Sequence, residues 1–228
     1  MRKMLAALCL LGAAALCAAP AAAAEATFRM GGVGFRLPLP AGYCLPRGLQ
    51  VDIAQLVAAG DNGNVTHLTL FPCDAPLDGA GLSSQKDYIL IKTPKPALII
   101  PMGREELLKG LGEAFENPAF TQALNSGQLL EDASKGVGEV LGSKVDLSGD
   151  VAPRGKDDVC AYLGGTMAVA APAQGRSYTL AVGTCVTAIG GRMMAIYWYG
   201  PDEGPASVAR LLVRAKDLAR TITSRPEP

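Results

Sequence analysis

The sequence predicts an α+β fold: one antiparallel sheet that ends in a three-strand meander, covered by helices and stapled by disulfides. Three observations carry this. Segments of period-two alternation are interleaved with segments of helical spacing, but not in the strict alternation of a parallel sheet. Three strand-like runs succeed one another at 158–170, 177–188 and 192–199, joined by short turns. Four cysteines lie downstream of a leader that routes a chain to an oxidising compartment.

The leader comes first. Arg2 and Lys3 precede an apolar run at 5–19, and Ala22-Ala23-Ala24 forms a small-residue cleavage site before Glu25. The run is diluted by Ala and Gly and falls short of the roughly 20 apolar residues of a membrane span. Cys9 and Cys17 follow Leu8 and Leu16, where a lipoprotein signal carries a small residue. The expected organisation is a signal peptide at 1–24 and one α+β domain at 25–228, with a helical insert at 103–142. The expected location is periplasmic or secreted. Removing 1–24 leaves 204 residues with 19 basic and 21 acidic side chains, a formal charge of −2. No basic excess is present to neutralise phosphates, which argues against nucleic acid as a partner.

Beyond the leader, Gly31-Gly32-Val33-Gly34 reads as a flexible lead-in, since a phosphate cradle needs a strand before it and a helix after it. Val33, Phe35, Leu37 and Leu39 alternate with Gly34, Arg36 and Pro38, a half-buried strand whose Pro38 implies an edge. Pro40-Ala41-Gly42 turns the chain. Leu49, Ile53, Leu56 and Val57 follow helical spacing, with Gly60 placed to end the helix. Residues 61–64 are a turn, 65–71 a strand closed by Pro72-Cys73, 74–85 a loop and 88–92 a third strand. The stretch 93–101, TPKPALIIP, is a short crossover. Leu107, Leu108, Leu111, Ala114 and Phe115 make a helix, and Asn117-Pro118 starts another. Residues 120–141 are broadly helical, weakened by Gly127, Gly136 and Gly138, and 145–151 is a strand or a lead-in. In the meander, Gly190-Gly191 is a short-hairpin signal. A closing helix from about Pro205 carries Val208, Leu211, Leu212, Ala215, Leu218 and Ile222 on one face, with Asp202 and Glu203 where its dipole favours negative charge.

Cys44, Cys73, Cys160 and Cys185 allow three connectivities. Cys160 and Cys185 are equidistant from the Pro172/Ala173 midpoint of one hairpin, which favours their pairing and leaves Cys44 with Cys73. The Cys44–Cys73 and Cys160–Cys185 bridges would close loops of 29 and 25 residues. Metal or redox chemistry is the alternative, but no Cys-x-x-Cys is present and the chain has one histidine. No metal and no cofactor is expected.

A first strand ending in Pro40, Gly42, Tyr43 and Cys44, with Cys73 after the next strand, resembles the Mog1/PsbP-like exported domains. It also resembles secreted proteobacterial proteins that begin with a Pro-x-Gly-Tyr-Cys corner. The shared order of elements spans most of the chain after the leader. The resemblance implies an accessory or binding module and brings no catalytic motif with it.

The remaining chemistry-bearing residues are weighed against ordinary structural roles. His67 shares strand parity with Thr69, Phe71 and Cys73, opposite Leu68 and Leu70, and the sequence signals no nucleophile or carboxylate partner for it. Ser83-Ser84-Gln85-Lys86 matches Ser-x-x-Lys but precedes a strand and lacks the two supporting motifs. Asp157-Asp158, Glu105-Glu106 and Glu131-Asp132 are neighbours in sequence, which does not make them converge on a substrate. Asp61-Asn62-Gly63-Asn64 lacks the alternating ligands and closing Glu of a calcium loop. Asn64-Val65-Thr66 is a glycosylation sequon. Tyr197-Trp198-Tyr199 places aromatics on both faces of a strand, and with His67 it is the candidate binding surface. Arg210, Arg214, Lys216 and Arg220 make the closing helix basic, so membrane contact is conceivable but not favoured over packing on the sheet.

These readings point to a non-catalytic, exported module that binds a protein or small-molecule partner in the cell envelope. A hydrolase with an unrecognised site is one alternative. Peripheral membrane association through the closing helix is the other.

Overall fold

The computed structural model describes residues 24–75 and 86–226. Residues 1–23 of the leader and most of the 74–85 loop, including Ser83, Ser84 and Gln85, lie outside the described residues. Two antiparallel sheets form, one of three strands in the order β1 (Glu25–Met30), β2 (Val33–Pro38), β10 (Thr223–Pro226) and one of seven in the order β3 (Tyr43–Cys44), β4 (Asn64–Pro72), β5 (Tyr88–Pro94), β9 (Arg192–Pro201), β8 (Arg176–Ile189), β7 (Ala161–Ala171), β6 (Asp146–Lys156).

The first sheet is a departure from the sequence expectation. β1 (Glu25–Met30) turns Ala26, Phe28 and Met30 inward and Glu25, Thr27 and Arg29 outward. It pairs with β2 (Val33–Pro38) through Gly31 and Gly32, whose φ angles are 56° and 78°. Two consecutive positive φ values are what a two-residue hairpin requires, and glycine meets them without strain. The expected flexible lead-in is therefore a tight turn, and a strand precedes it.

β3 (Tyr43–Cys44) joins the edge of β4 (Asn64–Pro72), and α1 (Leu49–Ala59) lies between them in the chain. β5 (Tyr88–Pro94) leads through a 3-10 turn at Lys95–Ala97 into α2 (Arg104–Glu116). Asn117 caps α3 (Pro118–Asn125), accepting a bond from the Ala119 amide at 2.9 Å. The expected single helical stretch breaks at Ser126-Gly127, and α4 (Gln128–Leu141) comes after the break. β6 (Asp146–Lys156), β7 (Ala161–Ala171), β8 (Arg176–Ile189) and β9 (Arg192–Pro201) make an antiparallel run of four. The 145–151 segment is thus the start of a full strand, and the meander is one strand longer than expected.

α5 (Ala206–Thr221) buries Ser207, Leu211, Ala215, Leu218 and Ala219. After Ile222 the chain extends into β10 (Thr223–Pro226), a strand with no sequence forewarning, which pairs with β2. α5 and the small sheet share one face of the large sheet, where Phe28, Phe35, Leu37, Leu70, Ile89, Ile91, Met194, Ile196 and Trp198 form the main core. The alternate residues Val186, Ala188 and Ala195 face Leu107 of α2, which covers the other face together with α1, α3 and α4.

α5 sits unusually close to the sheet at Gly183. A Cβ there would lie 2.6 Å from the Leu212 amide nitrogen and 2.7 Å from the Leu211 carbonyl carbon, both backbone atoms that cannot swing aside. Glycine in a strand often marks such an approach.

Both expected disulfides form. Cys44–Cys73 and Cys160–Cys185 have Cα separations of 5.0 and 5.2 Å. The hairpin register places Tyr162, not Cys160, opposite Cys185, so the second bridge runs diagonally across β7 and β8. The first is also diagonal, since Cys44 stands opposite Phe71.

The bridge and the close helix seat are each testable by stability. Cys160→Ser/Cys185→Ser should lower the free energy of unfolding in urea by about 3 kcal/mol, less any strain released. Gly183→Ala should cost about 1–3 kcal/mol by lifting α5, whereas Gly110→Ala, on an exposed helix position with open space around it, should be neutral or stabilising.

Candidate binding surface

The alternation of β9 sends its three aromatics to two faces, and each joins a different cluster. Trp198 points toward α5 and is buried. Its Nε1–H donates to the Tyr43 hydroxyl at 3.0 Å, and the two rings meet edge to face at 5.1 Å. Tyr43 in turn donates to the Asp87 carboxylate, and the Arg214 guanidinium lies 5.6 Å from the Trp198 ring. Burial, with the hydrogen bond to Asp87, pushes the Tyr43 hydroxyl far above its ordinary range. The corner at Tyr43-Cys44 is thereby tied to the middle of the sheet and to α5. Arg47 reinforces it with a 2.7 Å bond to the Cys73 carbonyl.

Tyr197 and Tyr199 point to the opposite face. Tyr88 stands across from Tyr199 in the β5–β9 register, and their rings stack at 4.5 Å. Tyr197 lies 6.2 Å further along, nearly parallel, and Phe71 lies 6.3 Å beyond Tyr88. At the other end Lys92 Nζ sits 5.6 Å from the Tyr197 ring and 2.6 Å from Asp61 Oδ2. The result is a half-buried aromatic row on two adjacent central strands, ended by an ion pair. Burial pushes Asp61 up, but the Lys92 ammonium and the Asn64 hydrogen bonds outweigh it and hold the carboxyl below its usual range. Burial pushes Tyr197 up to about 12, and Tyr88 and Tyr199 higher still.

Asp61 also accepts from the Gly63 and Asn64 amides, as its turn sequence implies. The Asn64 amide group, the acceptor of the sequon, is itself committed to Asp61 at 2.9 and 3.1 Å.

His67 belongs to neither cluster. A β-bulge between Thr66 and Leu68 breaks the expected parity. The ring stacks at 5.3 Å on Phe28, which shares a core with Leu68 and Leu70, the residues it was expected to oppose. Its Nε2 is 3.1 Å from Thr93 Oγ1, which also lies 3.0 Å from the Met193 carbonyl oxygen and 2.9 Å from Met30 Sδ. Burial lowers the His67 pKa and keeps the ring neutral at pH 7.

Of the paired carboxylates, Asp157 is structural. It accepts from the Val159 and Cys160 amides at 2.8 and 2.9 Å, from the Tyr162 hydroxyl and from Lys216 of α5. Burial raises it, but Lys216, Tyr162 and the two amides together hold it far below the usual carboxylate range. Glu131 pairs with Lys135 one turn away, and Asp132 accepts from Gln128.

The structure therefore brings Tyr197 and Tyr199 together, turns Trp198 away and places His67 beneath β1. It adds Tyr88, Lys92 and Asp61, which nothing local in the sequence associates with β9. Only the adjacency of β5 and β9 does so.

All six tyrosines of the chain are held above their ordinary range by burial. The unfolded chain then releases tyrosine protons near pH 10 while the folded chain keeps them, so stability should fall as pH rises through 10. Tyrosinate absorbance should stay low near pH 10 and rise on unfolding. At the acid end the unfolded His67 binds a proton near pH 6.5 and the folded one does not. The melting temperature should fall as pH drops below 6.5, and His67→Gln should remove that part of the decline, which differential scanning calorimetry can measure.

No family model matches the chain, and no curated protein matches it. Among solved structures it is similar to the solution structure of cyanobacterial PsbP (CyanoP) from Synechocystis sp. PCC 6803. The identity is 10% and the TM-score 0.38, with 94% of this chain and 100% of that chain covered, a weak resemblance.

Proposed function

We propose that the chain is an exported binding module of the cell envelope, periplasmic or secreted, that works without catalysis. A protein or small-molecule partner is taken on the tyrosine row of β5 and β9. The observation that carries this reading is the stack of Tyr88, Tyr199 and Tyr197, ended by Lys92. Tyrosine offers a broad apolar face with a polar tip. Rings already stacked on paired strands lose little freedom when a flat group settles on them, which lowers the ordering cost of binding.

Two disulfides fit an oxidising compartment. Among the described residues no helix is long and apolar enough to cross a membrane. The surroundings of His67 support a packing role, since its ring lies on Phe28 and its Nε2 serves Thr93. The apolar face of α5 supports the module reading over membrane contact there, because Leu211, Ala215 and Leu218 are spent on the sheet.

Two measurements test the proposal. Expression of the full chain in a Gram-negative host, followed by osmotic-shock release, should yield a periplasmic protein beginning at Glu25 with no free thiol. A cytoplasmic product that keeps residues 1–24 would overturn the export part. A screen of aromatic and aliphatic small molecules and short peptides, read on ring-labelled tyrosine by NMR, should shift Tyr197 and Tyr199. Tyr199→Ala should weaken the hits about tenfold or more. Hits that ignore these rings, or turnover that depends on His67, would sink the binding part.

A further inference from the structure

We propose that the crossover after β5 is a lipid-contacting tip, and that it docks the molecule on a membrane surface rich in anionic headgroups. Ile99 and Ile100 project from this loop, with 76% and 46% of their surface exposed, the two largest apolar side chains it carries outward. Large apolar groups held in water in this way mark an interaction site when they are clustered and framed by charge.

The loop is braced by prolines and by backbone hydrogen bonds. Pro94, Pro96 and Pro101 restrict it. The Leu98 and Ile100 amides bond to Lys95 and Ala97, and the Met102 amide to Gly191 at 3.0 Å. Leu98, between the exposed pair and the 3-10 turn, packs on the main core and anchors the tip from below.

The frame is basic. Lys95 is exposed at the start of the loop and Arg104 at its end, where its Nε donates to the Ala188 carbonyl at 3.2 Å. The Arg192 guanidinium donates to the Gly31 carbonyl at 2.7 Å, and a Cβ on Gly31 would lie 2.6 Å from both Arg192 Nε and the Leu98 carbonyl. Arg225 is exposed on β10 opposite Gly34, next to the same β1–β2 turn. The counter-charges at this end are Glu105 and Glu106 in the first turn of α2, and Asp61, which Lys92 already engages. An apolar tip that projects, with exposed Lys95, Arg104 and Arg225 at the same end of the molecule, fits insertion of the two isoleucines at the acyl boundary with the cations at headgroup level. A flat apolar protein surface would leave those cations uncompensated. This contact surface is separate from the tyrosine row and does not rest on it.

Co-sedimentation of the full chain with vesicles of equimolar phosphatidylglycerol and phosphatidylcholine tests the proposal, with phosphatidylcholine alone as the comparison. Binding is expected to the anionic vesicles and to weaken with salt. Ile99→Ser/Ile100→Ser, and separately Lys95→Glu/Arg225→Glu, should each reduce it about tenfold or more, with an unchanged melting temperature. In a second variant, Ile99→Trp should show blue-shifted emission quenched by brominated lipid on adding the anionic vesicles. This readout registers the tip itself, whatever residues 1–24 contribute. No binding by the wild type, binding indifferent to the isoleucine variants, or an unquenched Ile99→Trp would each overturn the proposal.

Discussion

The seating of α5 on the bare backbone of Gly183 is the contact on which the rest of the architecture depends. With no side chain between them, the helix backbone descends onto β8, and Leu211, Ala215 and Leu218 reach the core at full depth. That depth positions the contacts on both sides of the helix. Arg214 comes to lie over Trp198, and Lys216 reaches Asp157, whose carboxylate holds the two amides leading into the Cys160 bridge. Past Ile222 the chain is delivered to β2, where β10 completes the small sheet and closes the core over Phe28 and Phe35.

That closure divides the large sheet into two faces with different characters. The α5 face is largely apolar, and Trp198, Tyr43 and Asp87, like His67 and Thr93, are tied together there in short local networks. The helix-covered face carries the tyrosine row and the Lys92–Asp61 pair, whose charges are only partly removed from water. A stacked aromatic row on a rigid sheet is suited to contact with a partner. A largely apolar core is suited to holding it in place. The loop carrying Ile99 and Ile100 lies at one end of the molecule, beside the β1–β2 and β8–β9 turns.

The legible parts of this arrangement were those with a local signature. The 177–188 and 192–199 runs with Gly190-Gly191 between them, the Asn117-Pro118 cap and the apolar stripe of α5 each announce themselves within a few residues, and all formed. β10 is four residues long and gains its identity from pairing with β2. β1 alternates cleanly, but Gly31-Gly32 reads equally as slack or as a hairpin until a partner strand is known. His67 was misplaced by one bulge, because alternation is read by counting and a bulge shifts the count. Tyr88 and Lys92 gave no hint of joining Tyr197 and Tyr199, since sheet order is a long-range choice that no spacing encodes.

The composition and local pattern of the chain were enough to indicate a mixed α+β architecture, its disulfide pairing and a closing amphipathic helix. Those properties arise from backbone periodicity, turn chemistry and residue counts, which are written within short windows. The tertiary structure decided which aromatics meet, which face of β9 each serves, how closely α5 approaches, and that a second sheet exists. Each of these depends on which strands lie side by side and on how near two backbones come, and both are settled by packing the whole core at once.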